Sequence, residues 1–380
     1  MSYRPSWMTE DMAIFQESVR RFFNEELIPH DEEWTKRGYI DRDVWLKAGE
    51  FGLLLPAIPE EYGGAGGSHA HNAIIAFELA KSLGSMGTNV HSAISAHYIL
   101  RYASEEQKKK WLPKMASGEL VCAIAMTEPG AGSDLQNMKT RAVRDGDHYV
   151  INGSKTFITN GYHADLVLLA CKTDPTKGAK GISIIVLELK DLPGFRRGRI
   201  LEKIGQKAQD TAELFFDDVR VPVENLLGPE EGKGFIQLMQ QLPEERMFIA
   251  MGALGYMERA VEETIAYVRE RKMFGQSLLD MQNSRFKLAE CQTLLTIARS
   301  FVDDCMNKMV RHELDPTTAA MAKWWVSQQC NTVIDECLQL HGGYGYMLEY
   351  PIARLYANAR PMRIYGGSNE VMKELIARTL

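Results

Sequence analysis

Residues 149–160 read Y-V-I-N-G-S-K-T-F-I-T-N, and here the periodicity of the chain changes. Short β-prone runs flank Asn152-Gly153, a dipeptide suited to a two-residue hairpin turn because both residues tolerate positive φ. Three more such runs follow: D-L-V-L-L-A-C-K-T (165–173), G-I-S-I-I-V-L-E-L (181–189) and A-E-L-F-F-D-D-V-R-V (212–221). With turn signals and no helical pattern between them, they predict an antiparallel sheet, as a sandwich or small barrel. No G-x-G-x-x-G follows a first strand, so a dinucleotide-binding βαβ reading fails.

On either side the pattern is helical. Residues 8–28 carry Met12, Phe15, Val19, Phe22 and Phe23 near a 3.6-residue period. Ser104–Gln107, S-E-E-Q, is a capping box that opens the helix holding Trp111 and Met115. Glu61–Ser68, E-Y-G-G-A-G-G-S, lacks a P-loop ending and reads as a loop between helices. Beyond Pro229, long helices are predicted over 243–271, 279–312 and 317–340. The fold class expected is therefore α+β multidomain: an all-α domain (1–120), an antiparallel β-barrel or sandwich (121–228) and a C-terminal four-helix bundle (229–380).

The 380 residues exceed the ~250–300 at which single cores stop growing, in keeping with several domains. A net charge of -6, from 44 basic and 50 acidic residues, argues against a nucleic-acid protein. Six scattered cysteines without a C-x-x-C pair suit a reducing compartment. The N-terminus lacks a signal-peptide pattern, the A-R-T-L ending is no peroxisomal address, and no apolar run is long enough to span a bilayer. A cytoplasmic protein is expected. His69-x-His71 in a glycine-rich setting reads as two solvent-exposed histidines rather than a metal site, and no metal is expected. Trp324 and Trp325 read as core residues of the bundle.

Four stretches carry candidate chemistry. A-M-T-E-P-G-A-G-S-D (125–134) combines Pro129, Gly130 and Gly132 with the hydroxyls of Thr127 and Ser133, a cradle for a polar cofactor edge. Q-L-H-G-G-Y-G-Y (339–346) and R-K-M-F-G (271–275) stand at helix ends. R-I-Y-G-G-S-N-E-V (363–371) sets Gly366 and Gly367 before a helix that Ser368 can cap, a place for something bound close to the backbone. That loop brings no acid or base of its own. L-P-E-E-R-M-F-I-A-M-G-A-L (242–254) does: after Arg246 come eight residues without a polar side chain, so a carboxylate at this point packs on a buried helix that would raise its pKa. Acidic residues in a first helical turn also serve the helix dipole, and spacing alone does not choose between Glu244 and Glu245.

Together, and in this order, these motifs resemble the acyl-CoA dehydrogenase family over essentially the whole chain, with the long-chain branch closest. The resemblance implies FAD bound between the β domain and the bundle of a homotetramer. Met126, Thr127, Gly132 and Ser133 would line the flavin, and Phe157, Ile158 and Thr159 would lie against its rings, Phe157 standing where many relatives have tryptophan. Arg271, Phe274, Gln282, Gln339, Gly342 and Gly343 would reach the FAD of a neighbouring subunit, and Ser368 and Glu370 would hold its polar tail. Ser133, Arg246, Tyr365, Gly366 and Gly367 would meet the acyl-CoA. The reaction implied is α,β-dehydrogenation of an acyl thioester of medium, long or branched chain to the trans-2-enoyl-CoA. A base removes the α proton and the β hydrogen leaves as hydride to the flavin. Electrons then pass to an electron-transferring flavoprotein. Many members carry the base as Y-E-G-T where this chain has Gly366. The long-chain and isovaleryl branches carry it instead on a helix beginning L-x-x-E-R, which implies Glu245. A non-catalytic flavin- or acyl-CoA-binding subunit and an oxygen-using acyl-CoA oxidase are the rival readings.

Overall fold

The computed structural model of the chain describes residues 4–380. Six helices come first: α1 (Glu10–Phe22), α2 (Asp31–Arg37), α3 (Asp43–Glu50), α4 (His69–Ser82), α5 (Ala96–Tyr102) and α6 (Glu105–Ala116). The expected capping box opens α6, where the Ser104 hydroxyl accepts from the Gln107 N–H and the Gln107 side chain accepts from the Ser104 N–H.

Seven strands follow in one sheet: β1 (Cys122–Ala125), β2 (Arg141–Asp145), β3 (His148–Thr159), β4 (Leu166–Lys172), β5 (Ile182–Glu188), β6 (Phe195–Ile200) and β7 (Thr211–Pro222). The order is β1-β4-β2-β3-β7-β6, with β5 paired to the other side of β4, and the sheet forms a half-barrel. Pairing is antiparallel except along β1–β4 and at one β2–β4 contact. The chain leaves β1, makes the β2–β3 hairpin and returns, so β4 arrives beside β1 in the same direction. β4 and β5 are buried on both faces. Leu166 and Leu168 face the N-terminal helices, while Val167 and Leu169 face the inside of the half-barrel. Hence their sequences read as continuous apolar runs rather than as alternation.

The hairpin does not turn at Asn152-Gly153. Asp145 pairs with His148, so the turn lies at Gly146-Asp147, with Gly146 at φ 65°. Asn152-Gly153 sits inside β3, at a register shift against β7. A Cβ on Gly153 would come within 2.7 Å of the Thr140 Cα, so this glycine serves a close backbone approach at a bulge.

The C-terminal region has three long helices, α7 (Gly234–Glu270), α8 (Gln282–Val310) and α9 (Pro316–His341), and two short ones, α10 (Pro351–Ala359) and α11 (Asn369–Ala377). A two-stranded hairpin, β8 (Lys272–Met273) with β9 (Gln276–Ser277), links α7 to α8. The fourth long element against α7 is α4, from the N-terminal domain, whose Ala70, Ala73, Ile74 and Phe77 share one core with α7, α8 and α9. The helix expected from Pro243 begins instead at Gly234, with Pro243 inside it. Proline removes one backbone hydrogen bond there, while the preceding turns are held by burial of Gln237 and Leu238 and by the Gln237 Nε2 bond to the Leu227 carbonyl at 2.9 Å. Glu244 and Glu245 therefore belong to the body of a helix, and the first-turn dipole reading lapses. His69 and His71 also differ from expectation. They open α4 half-buried, His71 receiving the Ser68 N–H at 3.1 Å and His69 lying 3.5 Å from Glu244. The glycine loop ends at Ser68, so the histidines fall on the packed side of the helix. Among the described residues no cluster could hold a metal, and no helix is long and apolar enough to cross a membrane.

Candidate active site

Three groups of residues gather the expected functional positions. The first lies on the sheet. Glu128 is buried inside the 126–133 loop, where it accepts from the Thr140 N–H (2.9 Å), the Lys139 N–H (2.5 Å) and the Lys155 ammonium (2.9 Å). Burial works against its ionisation, yet Lys155 and these donors outweigh it and hold the carboxyl below its ordinary range. Lys155 also donates to the Met126 carbonyl at 2.8 Å, and the Thr156 N–H to the Thr127 carbonyl at 2.9 Å. The loop is thus fastened to β3 from beneath. Met126 and Thr127 remain half-buried, Gly132 and Ser133 are exposed, and space is open beside Gly130 and Gly132.

A second register shift, between Lys155 and Ile158, turns Phe157 outward at φ 60° and 66% exposure. A phenylalanine in left-handed backbone with its ring in solvent is strained and unburied at once, a combination that functional sites maintain. Ile158 points into the half-barrel core, so only its backbone is offered beside Phe157, and Thr159 is half-buried.

The second group closes the far end of α7 and α9. Phe274 and Gly275, both at positive φ, form the two-residue turn between β8 and β9, with Phe274 88% exposed. Arg271 lies 5.5 Å over the Tyr344 ring, joining this hairpin to the loop after α9. Gln339 is exposed in the last turn of α9, Gly342 ends it at φ 59°, Gly343 stands in open space, and Gln282 is exposed at the start of α8.

The third group holds the acid–base chemistry. Glu245 is 6% exposed and accepts from the Tyr98 hydroxyl at 2.9 Å. Burial pushes its carboxyl up to about 7, against the pull of Tyr98 and Arg246. Glu244 differs: it is half-exposed and meets His69 rather than the interior. Arg246 is buried with its Nε lacking a partner, a polar group that calls for a ligand. One helical turn beyond Glu245, Ile249 faces Gly366, which lies at φ 66°. Loop 365–368 therefore lies against the Glu245 side of α7. Tyr365 is partly exposed, and Gly367 is at φ 91°. The loop is held by Lys323, buried on α9, whose ammonium donates to the Gly367 carbonyl (2.6 Å) and Asn369 Oδ1 (3.0 Å). Ser368 caps α11 through the Val371 N–H at 3.3 Å, and Glu370 is exposed in its first turn.

The family model for the acyl-CoA dehydrogenase N-terminal domain matches residues 9–119, that for the middle domain 123–219 and that for the C-terminal domain 232–380. The chain belongs to the acyl-CoA dehydrogenase family. It is 50% identical over 370 residues to the mitochondrial long-chain specific acyl-CoA dehydrogenase of Mus musculus, covering 97% of this chain and 86% of that one. To the mitochondrial isovaleryl-CoA dehydrogenase of Oryza sativa it is 37% identical, covering 96% and 90%. Among solved structures, the acyl-CoA dehydrogenase of Geobacillus kaustophilus superposes with a TM-score of 0.96 at 48% identity, covering 99% of each chain. A glutaryl-CoA dehydrogenase of Mycobacterium smegmatis in complex with FADH2 superposes with 0.91 at 30%, covering 98% and 95%.

As an acyl-CoA dehydrogenase the protein is a flavin oxidoreductase acting on a CH–CH bond, with FAD as its cofactor. The residues present fit that cofactor: a glycine cradle with open space beside Gly130 and Gly132, and the exposed Phe157 ring on the strand to which that loop is fastened. Sequence reasoning missed Tyr98, Lys155 and Lys323. Tyr98 carries no signal, being far from Glu245 in the chain. Lys323 was visible as a lone cation between apolar neighbours in A-M-A-K-W-W-V, and Lys155 as one in a β-prone run.

Proposed function

We propose that the protein dehydrogenates a medium-, long- or branched-chain acyl-CoA to the trans-2-enoyl-CoA with Glu245 as the base. The observation that carries this reading is a buried carboxylate poised near neutrality on the same face of α7 that Gly366 meets one turn on. A base with a pKa near the working pH best combines being ionised with being able to take the proton. The Gly366 N–H is the backbone donor for the thioester carbonyl as enolate charge develops, and Arg246, Tyr365 and Gly367 complete the acyl-CoA contacts. FAD, when bound, takes the hydride from the β carbon. Met126, Thr127, Gly132, Ser133, Phe157, Ile158 and Thr159 form its near side, with Ser368 and Glu370 at its tail. Exposed Phe274, Tyr346 and Leu348, near the Arg271–Tyr344 contact, support a homotetramer whose subunits reach each other's FAD through Arg271, Phe274, Gln282, Gln339, Gly342 and Gly343. The domains are divided at about residues 120 and 228. An electron-transferring flavoprotein is the proposed acceptor, and six free, buried thiols support a cytoplasmic setting.

The test is anaerobic bleaching of the oxidised flavin by saturated acyl-CoAs of graded length and branching, with wild type and Glu245→Gln side by side. Bleaching by wild type that is lost in the variant, with FAD retained, is expected, and the best substrate names the acyl class. A variant as fast as wild type overturns Glu245 as the base.

A further inference from the structure

Tyr98 has no exposed surface and stands on α5, while Glu245 stands on α7. Its phenol is the one side chain among the described residues that donates to the Glu245 carboxylate, through Oε1. Burial and the neighbouring carboxylate push the phenol well above its ordinary range, so Tyr98 keeps its proton wherever Glu245 titrates and is a donor throughout.

A carboxylate fixed by one donor to one oxygen has two consequences. Its rotamer is set, because the side chain cannot swing without breaking a buried bond. Its two oxygens also cease to be equivalent: Oε1 is occupied, and Oε2 is left with its basicity unspent. We propose that Tyr98 is the positioning residue of the base, holding Oε1 through its hydroxyl so that Oε2 faces the α proton. This rests on Glu245 being the base.

The other groups around the carboxylate do not duplicate the role. On its own helix, Arg246 favours ionisation through charge without a hydrogen bond to it, and Glu244 opposes ionisation. Glu244 is turned toward His69 of α4, whose ring in turn packs at a 32° tilt against His97 of α5, with centroids 4.5 Å apart. Tyr102 of α5 gives its hydroxyl to Gln240 at 2.9 Å, and Lys323 of α9 is committed to Gly367 and Asn369. Removing the Tyr98 hydroxyl leaves Glu245 buried and without a donor.

The experiment compares the FAD-loaded wild type, Tyr98→Phe and Glu245→Gln over pH 5–10 with the acyl-CoA that reduces wild type fastest. The rate of flavin bleaching is read together with the infrared absorption of the protonated carboxyl that Glu245→Gln lacks, a titration that needs no turnover. In Tyr98→Phe, both the rate profile and the carboxyl titration are expected to move up by about one pH unit or more, since a bond to a charged group is worth roughly that much. The rate at pH 7 should fall about fivefold or more and recover in part toward pH 9. Placing 3-fluorotyrosine at position 98, a stronger donor on the same scaffold, should move the titration downward. Unmoved titrations in both replacements, with Glu245→Gln inactive, overturn the role of Tyr98 and leave the base standing. An active Glu245→Gln overturns the base itself.

Discussion

A Cβ added to Gly366 would lie 2.2 Å from Cδ1, the tip of the Ile249 side chain, so loop 365–368 packs directly on α7 and a side chain there would have to displace that tip. Gly366 is also at φ 66°, a conformation that costs other residues ~1–2 kcal/mol. Gly366→Ala should therefore lower thermal stability by about that amount or more and slow flavin bleaching. Adding Ile249→Ala should relieve the clash but not the backbone strain, restoring only part of the loss. Full tolerance of Gly366→Ala in both measurements would mean that the loop has slack elsewhere.

The raised carboxyl of Glu245 has a consequence for stability. The unfolded side chain releases its proton near 4.5, the folded one near 7. The folded state thus holds a proton that the unfolded chain has lost between those values. The favourable contribution of that proton is full below 4.5 and disappears as pH rises through 7. Glu245→Gln, which never ionises, should be the more stable protein at pH 8, by the order of 1–3 kcal/mol, with the difference shrinking toward pH 4. Thermal unfolding of the two proteins across that range reads the sign directly; a gap that widens on acidification would contradict it.

Lys323 holds the same loop from the other side. Lys323→Met keeps the bulk but leaves the Gly367 carbonyl without its donor and Asn369 Oδ1 with the Ser327 hydroxyl alone, costing ~1–3 kcal/mol of stability. Because the Gly366 amide is positioned through this anchor, the rate should fall about tenfold or more even where FAD is retained. An unchanged rate in FAD-replete enzyme would remove the lysine from any part in placing the loop.

Phe157 offers the opposite balance. Glycine at this position relieves left-handed strain of ~1 kcal/mol and removes a ring that is 66% exposed. Phe157→Gly should leave the cofactor-free protein no less stable while weakening FAD several-fold, measured by unfolding of the apoprotein and by flavin titration. Equal FAD affinity in the two proteins would show that the ring does not meet the flavin.

Much of this was legible in the sequence, and the misreadings have physical causes. The change from helical to strand period around Tyr149–Asn160 located the start of the sheet, and β4 and β5, buried on both faces, announced themselves as apolar runs. Asn152-Gly153 misled because a glycine needed for close approach to Thr140 looks the same as one needed for a turn. The turn itself, at Asp145-Gly146-Asp147, carried an equally good signal. Pro243 misled because proline favours a first helical turn, whereas tertiary packing here outweighs its missing hydrogen bond. Spacing did not separate Glu244 from Glu245. Adjacent helical residues point about 100° apart, and only the packed neighbours decide which one meets Tyr98 and which one meets His69.

The long helix α7 draws these observations together. It touches β5 of the sheet, α4 and α5 of the first domain, and α8 and α9 of the last, and Glu245 rides on it. A carboxylate on a loop would share the thermal wandering of that loop; on α7 its position is averaged over three cores at once. Such a strut cannot loosen in one domain and stay in place in the others. A change that shifts α7 in one domain is therefore felt in the other two, and at Glu245.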